Sequence, residues 1–99
     1  MVDKKRRDYR HFAQSFVNQM VDKLEKNHHK HPSYKDMSQV DLNAKLDEEY
    51  VEVLAALEEA VFDPSPENRK RLIMEAADLA NICMFVAYTA GQLDHDSLA

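Results

Sequence analysis

Glycine occurs once in this chain, at position 91, and proline three times, all between residues 32 and 66. A β-sandwich or barrel needs turn signals about every 8–12 residues, and turns draw on Gly and Pro. Breakers this sparse exclude an all-β fold and leave three uninterrupted stretches long enough for helices. In the first stretch Phe12, Phe16, Met20 and Leu24 recur every four positions, with Tyr9, Ala13 and Val17 beside them. That spacing predicts an amphipathic helix from about Asp8 to Asn27, with Phe12 and Phe16 in the core. Its N-terminal flank, Lys4-Lys5-Arg6-Arg7, reads as a solvated end, with a phosphate or nucleic-acid contact as the alternative.

His31-Pro32 disfavours helix, so residues 28–37 read as a loop. Ser38 followed by Asp41 is an N-cap with an acid at the third position, and the second helix runs from there to about Val61. Asp63-Pro64-Ser65-Pro66 breaks it, and Ser65 can cap a third helix that has Pro66 at its first position. Glu67 suits the positive end of that helix, and Gly91 is placed to stop it near Ala90. The residues after Gly91 read as a loose tail. The expected architecture is all-α: three long helices in a single domain spanning 1–99, with its core over about 8–92.

Composition narrows the setting. Thirteen Lys+Arg against 18 Asp+Glu leave a net charge of -5, which argues against nonspecific nucleic-acid binding. The longest nearly apolar run, Leu79–Ala90, is shorter than a bilayer requires, and no apolar segment of signal-peptide type follows the basic N-terminus. No membrane partner and a cytoplasmic location are therefore expected. A single cysteine excludes an internal disulfide, and Cys83 reads as a small buried side chain. The third helix is apolar around most of its girth, with Leu72, Ala76, Leu79, Cys83, Val86 and Ala90 at heptad spacing. Two neighbours cover such a helix poorly. A homodimer completing a larger bundle is the expected solution, with a higher oligomer or a closed monomeric bundle as alternatives.

The acids are out of place. With Leu42 at 0° on the second helix, Leu46, Val53 and Leu57 lie between about 20° and 60°, and Glu49 falls at about -20°, inside the apolar stripe. Glu52 and Glu48 lie on its flank, at about -80° and -120°. With Leu72 at 0° on the third helix, Glu75 sits at about -60° among Leu79, Ile82 and Val86, and Asp78 at about -120°. A carboxylate buried alone costs several kcal/mol and is normally protonated, paired or bound to a metal. Lys45 and Arg71, each one turn before an acid, could form salt bridges. A divalent ion would resolve the repulsion more fully, and all-oxygen ligation suits Mg²⁺ or Mn²⁺. Periodicity alone leaves a second reading open: Glu48, Glu52 and Asp78 as solvated flank residues, with only Glu49 and Glu75 misplaced.

The run Glu48-Glu49-Tyr50-Val51-Glu52, then 22 residues, then Glu75-Ala76-Ala77-Asp78, resembles the E-E-x-x-E … E-x-x-D signature of the MazG-like all-α nucleoside triphosphate pyrophosphohydrolases. Phe12 to Lys30, Asp36-Met37-Ser38 and Glu75 to Asn81 are similar to small members of that superfamily, so the resemblance spans roughly residues 10–92. It implies a metal-dependent hydrolase that splits a nucleoside triphosphate between the α and β phosphates, releasing pyrophosphate. It implies Glu49, Glu52, Glu75 and Asp78 as metal ligands, with Glu48 holding a further ion or orienting water. Lys30 and Asn81 correspond to polar positions near phosphate or sugar, and Tyr34 stands where many relatives have Trp, as a stacking face for the base. It also implies a dimeric bundle. The alternative function is a non-enzymatic helical interaction or regulatory module of the same fold.

Other signals carry less. His28, His29 and His31 cluster in sequence, but no further soft ligand lies near them to complete a zinc site. No Glu-x-x-His pair supports a ferritin-like di-iron site, and no Gly-rich loop supports a P-loop ATPase.

Overall fold

The computed structural model describes residues 4–27 and 37–98, with side chains over 8–26 and 37–89. They form α1 (Lys4–Asn27), α2 (Gln39–Phe62) and α3 (Pro66–Leu98), with no strand among the described residues. Both predicted caps form: Ser38 Oγ accepts the Asp41 N–H at 3.1 Å, and Ser65 Oγ accepts the Asn68 N–H at 3.2 Å. The three residues Asp63–Ser65 join α2 to α3 as a helical hairpin. The Asn68 side chain ties that corner by donating to the Asp63 carbonyl at 2.8 Å.

α3 is the central element. It packs on α2 along one side and on α1 along another, while among the described residues α1 and α2 do not pack on each other. The result is a slab of 48 × 43 × 22 Å, about two helix diameters thick. Its radius of gyration is 16.0 Å, against roughly 13 Å for a compact chain of this length. Its accessible surface is 8047 Å², against roughly 5,800 Å² from the size scaling of folded monomers. Among the described residues the buried apolar ones are few: Leu42, Ala56, Ala77 and Ile82. Ala56 and Ala77 have almost no side chain to keep the helices apart, so they fit where backbones approach closely.

The heptad stripe of α3 is not the face that α1 and α2 cover. Setting Leu72 at 0°, the buried residues Ala77, Asn81 and Ile82 lie at about 140°, 180° and -80°, whereas the stripe from Leu72 to Val86 lies within about 40° of zero. Leu72, Ala76 and Leu79 are only half-buried, and Cys83 and Val86 are exposed. The expected buried Cys83 is therefore corrected: it sits on an outward face of the single chain. Phe12, expected in the core, is 70% exposed, because α1 meets α3 through the Met20–Lys23 turn instead. Phe16 is half-buried.

Two boundaries also differ from expectation. α1 begins at Lys4, not near Asp8, because Lys and Arg are good helix formers and nothing before Asp8 breaks the turn. α3 continues through Gly91 to Leu98, and no glycine has positive φ. A glycine inside a helix costs only about 1 kcal/mol, and no proline follows to enforce a stop. Gly91→Ala should therefore raise stability by about 0.5–1 kcal/mol in urea melts. A loss of stability would mean that Gly91 ends the helix.

Candidate functional site

α2 buries one residue per heptad: Leu42, Glu49 and Ala56. The middle member of an otherwise apolar row is a carboxylate. Glu49 is 6% exposed. Across the hairpin, Glu75 projects from the side of α3 that faces α2, and Glu52, one turn after Glu49, completes the group. One carboxylate oxygen from each of Glu49, Glu52 and Glu75 lies within 4.8 Å of the other two. Two full charges at that distance repel by roughly 3 kcal/mol at an effective dielectric of about 20.

The electrostatics follow from the packing. Burial pushes the Glu49 carboxyl up to about 7, aided by the charges of Glu52 and Asp78, while Lys45 opposes the shift. Glu75 is raised as well, by burial first, then by its hydrogen bond with Glu52 and the charges of Glu52 and Asp78; Lys23 opposes. Two cations only partly balance the acids. Lys45 Nζ lies 3.5 Å from Glu49 Oε1 and 3.6 Å from Glu48 Oε2. Lys23 Nζ, reaching over from α1, lies 3.3 Å from Asp78 Oδ2. Glu49 Oε2 and Glu75 Oε2 are buried with no hydrogen-bond partner. A hard divalent cation fits this donor set: all ligand atoms are oxygen, and an ion there would satisfy the carboxylates that protonation otherwise must neutralise.

The expected residues therefore divide. Glu49, Glu52 and Glu75 come together. Asp78 lies close enough to raise both buried glutamates but is held by Lys23. Glu48 is exposed at the edge and shares Lys45 with Glu49. Asn81 is 3% exposed; its Nδ2 donates to the Met20 carbonyl at 3.0 Å, and its Oδ1 has no partner. That contact holds α1 against α3 one turn from Asp78. Lys30 and Tyr34 lie outside the described residues. Arg71, one of the two cations offered as a partner for the acids, pairs with Glu59 instead. The pairing of Lys23 with Asp78 joins segments far apart in sequence. Only the place of Lys23 on the flank of the Met20–Leu24 stripe hints that it could reach α3.

A helical hairpin that brings carboxylates from both arms together forms an acidic cluster whose donors suit a divalent cation. The chain belongs to the phosphoribosyl-ATP pyrophosphohydrolase family, which it matches over residues 15–96. This is a MazG-like all-α family of divalent-metal-dependent hydrolases, and membership makes the chain a pyrophosphohydrolase acting on a nucleotide. No curated protein and no solved structure matches the chain.

The raised carboxyls fix a sign for pH dependence. A carboxyl whose folded pKa lies above its unfolded value favours folding while protonated, and that contribution is lost as pH rises through the folded pKa. For Glu49 the window runs from about 4.5 to about 7. In metal-free buffer, Glu49→Gln should melt with the wild type near pH 4.5 and higher than it at pH 8. Equal melting at both pH values would show that burial does not strain this carboxylate.

Proposed function

We propose that the protein is a Mg²⁺-dependent nucleotide pyrophosphohydrolase that cleaves a nucleoside or deoxynucleoside triphosphate between the α and β phosphates. The observation that carries this reading is the pair of buried, unpartnered oxygens on Glu49 and Glu75 beside Glu52. The family's name adds phosphoribosyl-ATP, itself a triphosphate, to the candidate substrates. In this reading Glu49, Glu52, Glu75 and Asp78 hold the ion, with Mn²⁺ as a substitute, and Lys23 keeps Asp78 oriented. A bound divalent ion supplies neutralisation of the polyphosphate and acidification of a water. Glu48, at the open edge, orients the attacking water and accepts its proton. The water oxygen bonds to phosphorus, the bond to the bridging oxygen breaks, and pyrophosphate leaves with that electron pair. Lys45 spans Glu48 and Glu49 and sets their spacing. Lys30 and Tyr34 are proposed to meet phosphate and base, and Asn81 to fix the wall of the cavity.

A second copy of the chain supports this site. The uncovered heptad stripe of α3, the exposed Leu54 and Leu57 of α2 and the excess accessible surface all favour a homodimer. The helix segment Pro66–Thr89 is long and apolar enough to cross a membrane by length and composition alone, with 17% of its window buried in the single chain. Glu75 and Asp78 lie within it, and the family's enzymes are generally soluble. We therefore read this helix as the heart of a bundle in a cytoplasmic enzyme.

Pyrophosphate release from a panel of nucleoside triphosphates and phosphoribosyl-ATP tests the reaction. Glu49→Gln and Asp78→Asn should each lower kcat/KM by about a hundredfold or more while the circular dichroism spectrum is kept. Mg²⁺ at a hundred times its Kd should raise Tm by about 10 °C. A non-enzymatic interaction module would show neither turnover nor an ion-specific shift. In sedimentation the protein should run at twice its 11.5 kDa chain mass, and a monomer would remove the dimer from the account.

A further inference from the structure

α1 lies on α3 by a thin seam. None of its described side chains is fully covered; Phe16, Met20, Lys23 and Leu24 are half-buried and the rest are exposed. Two polar contacts pin it in place. Asn81 Nδ2 donates to the Met20 carbonyl at 3.0 Å, and Lys23 Nζ lies 3.3 Å from Asp78 Oδ2. The first pin leaves Asn81 Oδ1 buried with no hydrogen-bond partner, which offsets part of what the bond contributes. The second pin joins α1 to the acidic side of α3.

Lys23 therefore holds α1 and also supplies positive charge to a group of acids that has too little. Its charge acts on Glu75 as well as on Asp78. Lys45, the other cation at the acids, sits on the same helix as Glu48 and Glu49, so it can change partner without moving a helix. Lys23 comes from a separate helix, so a change at Asp78 is felt by α1. A divalent ion makes the same demand on the Asp78 carboxylate as the Lys23 ammonium does. At equal distance it attracts that carboxylate about twice as strongly, and it repels an ammonium beside it. The two cations compete for one partner.

We propose that Lys23 and the divalent ion exchange at Asp78, so that ion binding releases the Lys23 pin and loosens α1 from α3. Lys23 orients Asp78 until the ion takes the carboxylate. α1 then responds to ion occupancy: it is held when metal is scarce and freed when the acids are loaded. The exchange rests on the reading of Glu49, Glu52, Glu75 and Asp78 as metal ligands. Linkage makes the coupling reciprocal, so the Lys23 pin weakens ion binding by the factor by which the ion weakens the pin. Without the Lys23 ammonium the chain should bind the ion more tightly.

Two measurements on the whole chain decide it. The first titrates Mn²⁺ into wild type and into Lys23→Met, which keeps an unbranched apolar stem. Lys23→Met should bind Mn²⁺ about tenfold more tightly. Lys26→Met, with the same loss of charge one turn further along α1, should bind as wild type does. Equal or weaker affinity in Lys23→Met, or an equal gain in both variants, overturns the exchange and leaves the metal site standing. Absence of Mn²⁺ binding by wild type removes the metal site and the exchange with it. The second follows amide hydrogen exchange of wild type with and without Mg²⁺, and so depends on no variant folding. With Mg²⁺ the α1 amides should exchange several-fold faster, while those of α2 and α3 around Glu49 and Glu75 slow. Slower exchange in all three helices would show that the ion tightens α1, and overturns the proposal. In Lys23→Met the α1 amides should exchange fast without metal and no longer respond to Mg²⁺. A response equal to that of wild type would assign Lys23 a packing role alone.

Discussion

Burying negative charge without enough positive charge is the constraint around which this fold is arranged. Glu49 occupies the middle of the row Leu42–Glu49–Ala56, where an apolar side chain would stabilise the α2–α3 hairpin. Glu75 faces it from α3, and Glu52 closes the group. Lys45 and Lys23 reach only the edges, so Glu49 Oε2 and Glu75 Oε2 are left unsatisfied. Local stability is given up where these acids meet, a trade characteristic of functional sites.

The rest of the fold supports that arrangement. The capped three-residue corner between α2 and α3 fixes the hairpin register that brings Glu49 and Glu52 opposite Glu75. α1 adds little to the core but delivers Lys23 to Asp78, and the Asn81–Met20 contact locks it there. α1 and α2 lie on separate flanks of α3. The same openness leaves the heptad stripe of α3 only partly covered within the single chain.

Much of this was legible in the sequence because helical periodicity is a local code. Ser38 and Ser65 announced their helices through side-chain chemistry alone, and both cap as expected. Glu49 and Glu75 stood out because they interrupted apolar stripes, and the structure brings both together with Glu52. Contacts between distant segments were not legible. Nothing near Lys23 marks Asp78 as its partner, and nothing near Arg71 shows that it turns to Glu59. Cys83 and Phe12 were misread for a related reason: an apolar stripe shows that a face needs cover, not whether the same chain provides it. Gly91 shows the weakness of a single breaker inside a long run of helix formers.

The account is tested most directly by anomalous diffraction from crystals grown with Mn²⁺. It predicts a manganese peak at coordination distance, roughly 2.1–2.3 Å, from carboxylate oxygens of Glu49, Glu52 and Glu75. Crystals that bind manganese elsewhere, with those three side chains protonated or turned to solvent, would contradict it.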